Sequence, residues 1–229
     1  MSVKYHDANV GVTLGGGGGG GGQTLIGVYQ VGYFGSAGGT TATSLTVDIN
    51  GYSGMYALIS VMHRDTLTAP ADCTLLDFTS YDGGQSLTQY VSVFKCPIDS
   101  SAKSLTFTQA SSARISATVW ALDNDFSLSK TGTYTFQYYM SALTISTNSL
   151  SFITFSAPYA QTTTSRRVWG VSDGAWLLQP MQTEYQLRHF SGIIPPSTTL
   201  KNSTLQQAAS ASFTVTSEAE VVVYTVSAA

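Results

Sequence analysis

The sequence predicts an all-β protein built from two tandem antiparallel β-sandwich units, of jelly-roll or immunoglobulin-like type, set after a short N-terminal arm and a poly-glycine tether. Three observations carry that expectation. Apolar residues alternate with polar ones in short runs rich in Val, Ile, Thr, Tyr and Phe, bounded by Gly, Ser, Asp and Pro. No window of about a dozen residues has helical periodicity. The 229 residues, 43% of them hydrophobic, fill two units of about a hundred residues each, the natural size of a seven- or eight-stranded sandwich.

Residues 1–22 form the arm and tether. Val10, Val12 and Leu14 alternate with Gly11 and Thr13, the pattern of a strand that adds to a neighbour's sheet edge through main-chain hydrogen bonds. Gly15 to Gly22 are consecutive glycines, which have no side chain to bury and lose the most freedom on ordering, so they read as a connector outside any core. Left flexible, such a run spans roughly 16 Å, and drawn out it reaches about 25 Å.

The first unit, residues 23–125, offers strands at Thr24–Phe34, Ser44–Ile49, Met55–His63, Cys73–Tyr81, Thr88–Lys95, Ser104–Gln109 and Arg114–Leu122. The second, residues 126–229, offers Gly132–Met140, Ser149–Ser156, Arg166–Val171, Ala175–Gln179, Thr183–Phe190, Ala211–Thr216 and Ala219–Ser227. The halves echo one another: "CTLLD" answers "AWLLQ", "TQYVSVF" answers "TEYQLRH", and "FTQASSARI" answers "FTVTSEAEV", with Phe107 and Ile115 spaced as Phe213 and Val221. This reads as a duplication. A single larger sandwich using all the strands is the competing arrangement.

One hairpin can be registered. A two-residue turn at Gly84 and Gln85 suits a glycine-first type II′ hairpin, and it sets Leu75 opposite Phe94, Leu76 opposite Val93 and Phe78 opposite Val91. The same register places Cys73 across from Cys96, the two cysteines of the chain. Reduced thiols suit the cytoplasm during synthesis, and the register predicts a cross-strand disulfide once the protein meets oxidant.

Only 10% of residues are charged, with a net charge of -3, so the chain lacks the basic footprint of a nucleic-acid binder. No apolar run is long enough for membrane insertion, and the leader lacks the basic-then-apolar pattern of a secretory signal, which points to synthesis in the cytoplasm. A charge-poor surface of Ser, Thr and Tyr suits work outside cells.

Catalytic patterns are absent. His6, His63 and His189 have no glycine-flanked nucleophile elbow beside them, "HRD" at His63 to Asp65 lacks a kinase's glycine-rich loop and reads as a solvated strand end, and no carboxylate pair stands out. Asp123 and Asp125 have the oxygen chemistry of calcium linkers between sandwich domains, yet a lone Asp-x-Asp reads better as an Asx turn. No cofactor and no metal are expected. Arg166, Arg167 and Trp169 crowd one loop and strand start, where rings can stack on sugars and guanidinium groups can meet acidic groups, making them candidate receptor contacts. Trp176 reads as core.

"TAPADCTLLDF", "LTQYVSVFK" and "SLTFTQASSARISATVWAL" resemble a β-sandwich unit recurring in tail-fibre-associated and other virion proteins of tailed phages. Pro70, Thr74, Leu75, Leu76, Tyr90, Thr106, Phe107, Thr108, Ala113 and Ile115 fit its pattern, while Asp72 and Cys73 stand where Gly-Trp is usual. The second half offers Gly174, Trp176, Leu177 and Leu178 in the comparable place. The resemblance covers most of residues 45–122 and, more faintly, 149–229. It implies a non-enzymatic virion surface protein, a tail fibre, adhesin or capsid decoration. Its partners would be other virion proteins through the arm, a host-surface glycan or protein, and further copies of itself, a trimer being favoured. A secreted or cell-surface carbohydrate-binding module is the alternative.

Overall fold

The computed structural model describes residues 10–13, 25–35, 41–82, 88–137, 144–147, 149–156, 167–172, 176–178, 189–195, 198–204 and 218–229. These residues hold strands and no helix. In chain order the strands are β1 (Val10–Thr13), β2 (Leu25–Gly35), β3 (Ala42–Asn50), β4 (Met55–His63), β5 (Leu67–Thr68), β6 (Thr74–Asp82), β7 (Thr88–Ile98), β8 (Ala102–Ala113) and β9 (Ser116–Leu122). There follow β10 (Phe126–Gln137), β11 (Thr144–Thr147), β12 (Ser151–Ser156), β13 (Arg167–Ser172), β14 (Trp176–Leu178), β15 (His189–Ile194), β16 (Thr198–Thr204) and β17 (Glu218–Ala228).

They assemble into four antiparallel sheets. Sheet I runs β1-β2-β9-β4-β7-β6, sheet II β3-β8-β5, sheet III β10-β17-β12-β15-β14 and sheet IV β11-β16-β13. The order β2-β9-β4-β7-β6 therefore recurs in sheet III with each strand eight places later, and β3-β8-β5 recurs in sheet IV in the same way. Each half carries eight strands wound in one jelly-roll topology, so the sequence echo between "CTLLD" and "AWLLQ" falls on the equivalent strands β6 and β14. Residues up to Leu122 supply sheets I and II, and residues from Phe126 supply III and IV.

Burial explains the strand sequences. On β3 and β8, Val47, Ile49, Leu105 and Phe107 face inward while alternate positions such as Thr46 and Thr106 face water and meet at 3.1 Å. That alternation marks a sheet with one wet face. β9 is instead buried at all seven positions, and β4 at its last seven, because sheet I is covered on both faces. One face meets sheet II through Ile59, Val61, Phe94, Ile98, Phe107 and Val119. The other meets sheet III through Ile26, Val28, Leu58, Trp120, Phe152, Val222 and Tyr224. The two halves are thus joined by the faces of their equivalent larger sheets.

The β3–β4 connection turns on Gly51 and Gly54, whose φ angles of 86° and 83° lie in the left-handed region that side chains avoid. Gly54 donates its N–H to the Ile98 carbonyl at 2.7 Å, and this delivers the chain into β4 in register with β7.

Several expectations change. The hairpin register is as expected from Thr74 opposite Lys95 to Leu75 opposite Phe94, but a β-bulge at Leu76 then shifts it, setting Asp77 opposite Val93 and Phe78 opposite Ser92. A bulge lets two successive side chains share a face. Leu76 packs on the apolar layer against sheet III, and beside it Asp77 accepts the Tyr224 hydroxyl at 2.8 Å. The last described pair is Asp82 opposite Thr88, one residue out of step with the register expected from a turn at Gly84 and Gln85, and residues 83–87 lie outside the described residues. Strands β5, β11 and β16 are additional to those expected, and β15 takes up the end of the strand expected over Thr183–Phe190, whose residues 183–188 lie outside the described residues. Residues 211–216 lie outside the described residues.

Cys73 and Cys96 are bridged, with Cα atoms 4.3 Å apart, across the hairpin that bears the bulge. Cys96 is fully buried against sheet II. Reduction is expected to cost about 3 kcal/mol by the loop-entropy relation. Urea midpoints of oxidised and reduced protein measure it, and coincident midpoints would show that the bridge constrains nothing.

Candidate functional site

Two groups of polar and aromatic side chains are built by the stack. The first lies between sheets I and III. β4 and β9 present Ser60, Ser116, Thr118 and Trp120 toward β15, which presents His189 and Ser191. His189 Nε2 lies 2.8 Å from Ser60 Oγ, and Nδ1 lies 3.0 Å from Ser116 Oγ. A neutral imidazole has one donor and one acceptor, so one serine accepts from it and the other donates to it. Ser191 accepts the Trp120 indole N–H at 2.8 Å and donates to Thr118 at 2.5 Å. Burial pushes His189 down to about 3, with His63 adding a smaller push in the same direction. Nearby Tyr33 is driven up to about 12 by burial. This Ser–His–Ser arrangement has the atom types of a nucleophile couple, yet Ser60, Ser116 and His189 are all 0% exposed. It acts as a polar joint that fixes one sheet on the other.

The second group lies on the opposite face of sheet I, at its β6 edge. Sheet II covers β2, β9, β4 and β7 but stops short of β6. Leu75 and Phe78 therefore stand 53% and 50% exposed. Phe78 stacks on Tyr90 with ring centroids 5.4 Å apart and 24° between planes, and Tyr90 stacks on His63 at 5.3 Å and 28°. His63 anchors the stack. Its Nδ1 donates to the Asp65 carbonyl at 2.7 Å, which leaves Nε2 to accept the Ser92 hydroxyl at 2.9 Å. Burial holds His63 below its usual value, outweighing the opposing pull of the Asp65 carbonyl and carboxylate. The expected solvated strand end is corrected at His63, which is buried because the rings and the turn into Arg64 close over it. Sequence reasoning missed both histidine sites, since His63 and Ser92 are 29 residues apart and Ser60 and His189 are 129 apart.

The candidates named from sequence fare differently. Val10 and Val12 pair with Val28 and Ile26 of this chain's own β2, which corrects their assignment to a neighbour's sheet edge: the edge nearest in the chain takes the strand's hydrogen bonds. Leu14, Gly15, Gly22 and Arg166 lie outside the described residues. Thr13 sits opposite Leu25, so the connection holding Gly15 to Gly22 leaves and rejoins the same sheet edge. Arg167 and Trp169 lie two apart on β13, an edge strand of sheet IV. Trp176 opens β14 at the edge of sheet III.

The two aspartates between the halves, Asp123 and Asp125, have structural duties. Asp123 accepts the Gly27 N–H at 2.6 Å. Asp125 takes the Lys95 ammonium at 2.8 Å and the Phe126 N–H at 2.7 Å, and that ammonium also lies over the Tyr56 and Phe126 rings. Among the described residues, no group of three His, Cys, Asp or Glu side chains is placed to hold a metal ion.

Fold and sites together define the class as an all-β protein of two stacked jelly-roll halves. Compared with known proteins, the chain matches no family model, no curated protein and no solved structure.

Proposed function

We propose that this chain is a non-enzymatic surface protein of a phage particle, a tail fibre, adhesin or capsid decoration, whose stacked sandwiches serve host attachment or particle stabilisation. The observation that carries the reading is the construction itself. Two equivalent jelly rolls are fused face to face, their Ser–His couples are sealed from solvent, and the sequence has a charge-poor composition. Jelly rolls recur in capsid and lectin domains, an analogy at the level of fold that agrees with the sequence resemblance. Homo-oligomerisation, with a trimer favoured, belongs to the same reading. Because Val10 and Val12 occupy their own sheet edge, an arm that docks on another virion protein would first have to leave it.

The test is to locate the chain in purified particles by mass spectrometry and then by cryo-electron microscopy. Removing residues 1–14 is expected to leave the sandwiches folded and to abolish incorporation. Normal incorporation of the truncated chain would remove the arm from the docking role, and absence of the full chain from particles would end the virion reading. The disulfide favours a second reading, a secreted carbohydrate-binding module, because such bridges persist in oxidising compartments.

A further inference from the structure

We infer that the flank of sheet I left uncovered by sheet II is a binding platform for a neutral hexopyranose ring, with Phe78 as the stacking residue and Leu75, Ser80 and Tyr90 around it. The inference deepens the attachment reading above and rests on it only for its biological setting. Leu75 and Phe78 are two of the three large exposed hydrophobic side chains among the described residues, and both lie on β6. The bulge at Leu76 is what puts them on one face. Without it, Leu75 and Phe78 would point to opposite sides of the sheet.

The platform is rigid from behind. Phe78 leans on Tyr90, Tyr90 on His63, and His63 is held through both ring nitrogens by Ser92 and the Asp65 carbonyl. A ring fixed in this way pays little ordering entropy when a ligand settles on its free face. A bulky aromatic on a strand edge, half in water and supported by a buried hydrogen-bonded histidine, is poorly explained by packing alone.

Leu75, Phe78, Ser80 and Tyr90 carry no charge. Of the charged residues on the same two strands, Asp77 and Lys95 turn to the other face, where Asp77 meets Tyr224 and Lys130 and Lys95 meets Asp125, and Asp82 closes β6 four residues beyond Phe78. Ser80, opposite Tyr90, is exposed and supplies a hydroxyl beside the rings. The rings and Ser80 give an ionic ligand no partner, whereas the C–H face of a neutral sugar fits an aromatic face with hydroxyls alongside. Size points the same way. Two half-exposed side chains offer on the order of 200 Å², close to what one sugar ring covers and well short of the roughly 800 Å² per partner of a stable protein interface.

The experiment is saturation-transfer NMR on the full chain with methyl glycosides of glucose, galactose, mannose and N-acetylglucosamine, each titrated for affinity. At least one glycoside is expected to receive saturation mainly at the protons of one ring face. Phe78→Ala should weaken it at least fivefold, Phe78→Leu should weaken it as much because apolar area without a ring face is insufficient, and Phe78→Trp should bind as well as the parent or better. Unchanged amide spectra away from β6 and β7 check that each variant is folded. Saturation of none of the four glycosides, or parental affinity in Phe78→Leu, would overturn the platform. So would a concentration-dependent dimer that Phe78→Ala dissolves, since a second copy would then be the occupant. Sugar binding by a chain found outside particles would retain the platform and discard the virion reading, and a particle-borne chain without sugar binding would do the reverse.

Discussion

Replacing Trp120 with alanine is expected to destabilise the protein by about 4 kcal/mol, a large share of a typical domain's whole stability. Trp120 is 1% exposed on β9, the strand with all seven positions buried, and its ring lies in the layer formed with Leu58, Phe152, Val222 and Tyr224. Truncation opens a cavity between sheets I and III that two hydrogen-bonded sheets cannot collapse to fill. It also strips Ser191 of the indole N–H, although Ser191 keeps its bond to Thr118. Trp120→Phe retains most of the apolar volume and loses the hydrogen bond, for an expected cost of about 1 to 2 kcal/mol. Urea unfolding followed separately in each half adds a second readout. The parent should unfold in one transition and Trp120→Ala in two, because the apolar layer is what couples the halves. A loss below about 1 kcal/mol for the alanine variant would show that the halves do not depend on this layer.

The sequence is most legible where one force dominates. Met55–His63 reads as a strand to the residue, since an apolar run bounded by Gly54 and Arg64 has no other use in a chain without helical periodicity. The Cys73–Cys96 pairing is legible because period-two register carries from Leu75 and Phe94 to the cysteines without interruption. Beyond Leu75 the same reasoning fails. Nothing in the residue types says that Leu76 and Asp77 share a face, and the bulge that puts both toward sheet III is what returns Phe78 to the face of Leu75.

The contact between the halves leaves almost no local trace. Ser60, Ser116, Thr118, His189 and Ser191 are residue types found at surfaces, and only their mutual hydrogen bonding makes their burial affordable. The described part of β15 is obscured by the same residues, since "HFSGII" holds a buried histidine and contains Gly192, which a propensity reading treats as a break. The duplication is faint in residue identity yet complete in topology, because equivalent strands need equivalent patterns of burial, not equivalent side chains.

Acidification is expected to weaken the joint between sheets I and III through His189. Folded, this histidine sits near 3, while in the unfolded chain it has the ordinary value of 6.5. Below pH 6.5 the unfolded chain therefore takes up a proton that the folded chain refuses. Stability from this group is complete above pH 6.5 and falls by about 1.4 kcal/mol per pH unit until pH approaches 3, a total on the order of 5 kcal/mol. His63, also held below its ordinary value, adds a loss of the same sign over the upper part of that window. Asp65, Asp99 and Asp125, lowered by their hydrogen bonds, lose their contributions only below the ordinary carboxylate value of 3.8, so the interval from about pH 6.5 to 4.5 belongs to the histidines. The hydrogen-bond partners of the His189 ring are neutral, Ser60 on β4 and Ser116 on β9, with Tyr33 beside Ser116 kept protonated by its burial. A protonated ring would have two N–H donors and no acceptor, and the serine that had donated to it would have to turn away. His189→Gln retains one donor and one acceptor without a titrating group. It is expected to lower stability at pH 7.5 by about 1 to 2 kcal/mol and to flatten the dependence on pH between 6.5 and 4.5 by close to one proton. Urea midpoints measured at half-unit steps across that interval decide the matter. If the glutamine variant keeps the full parental slope, His189 is not the group that makes the joint sensitive to acid.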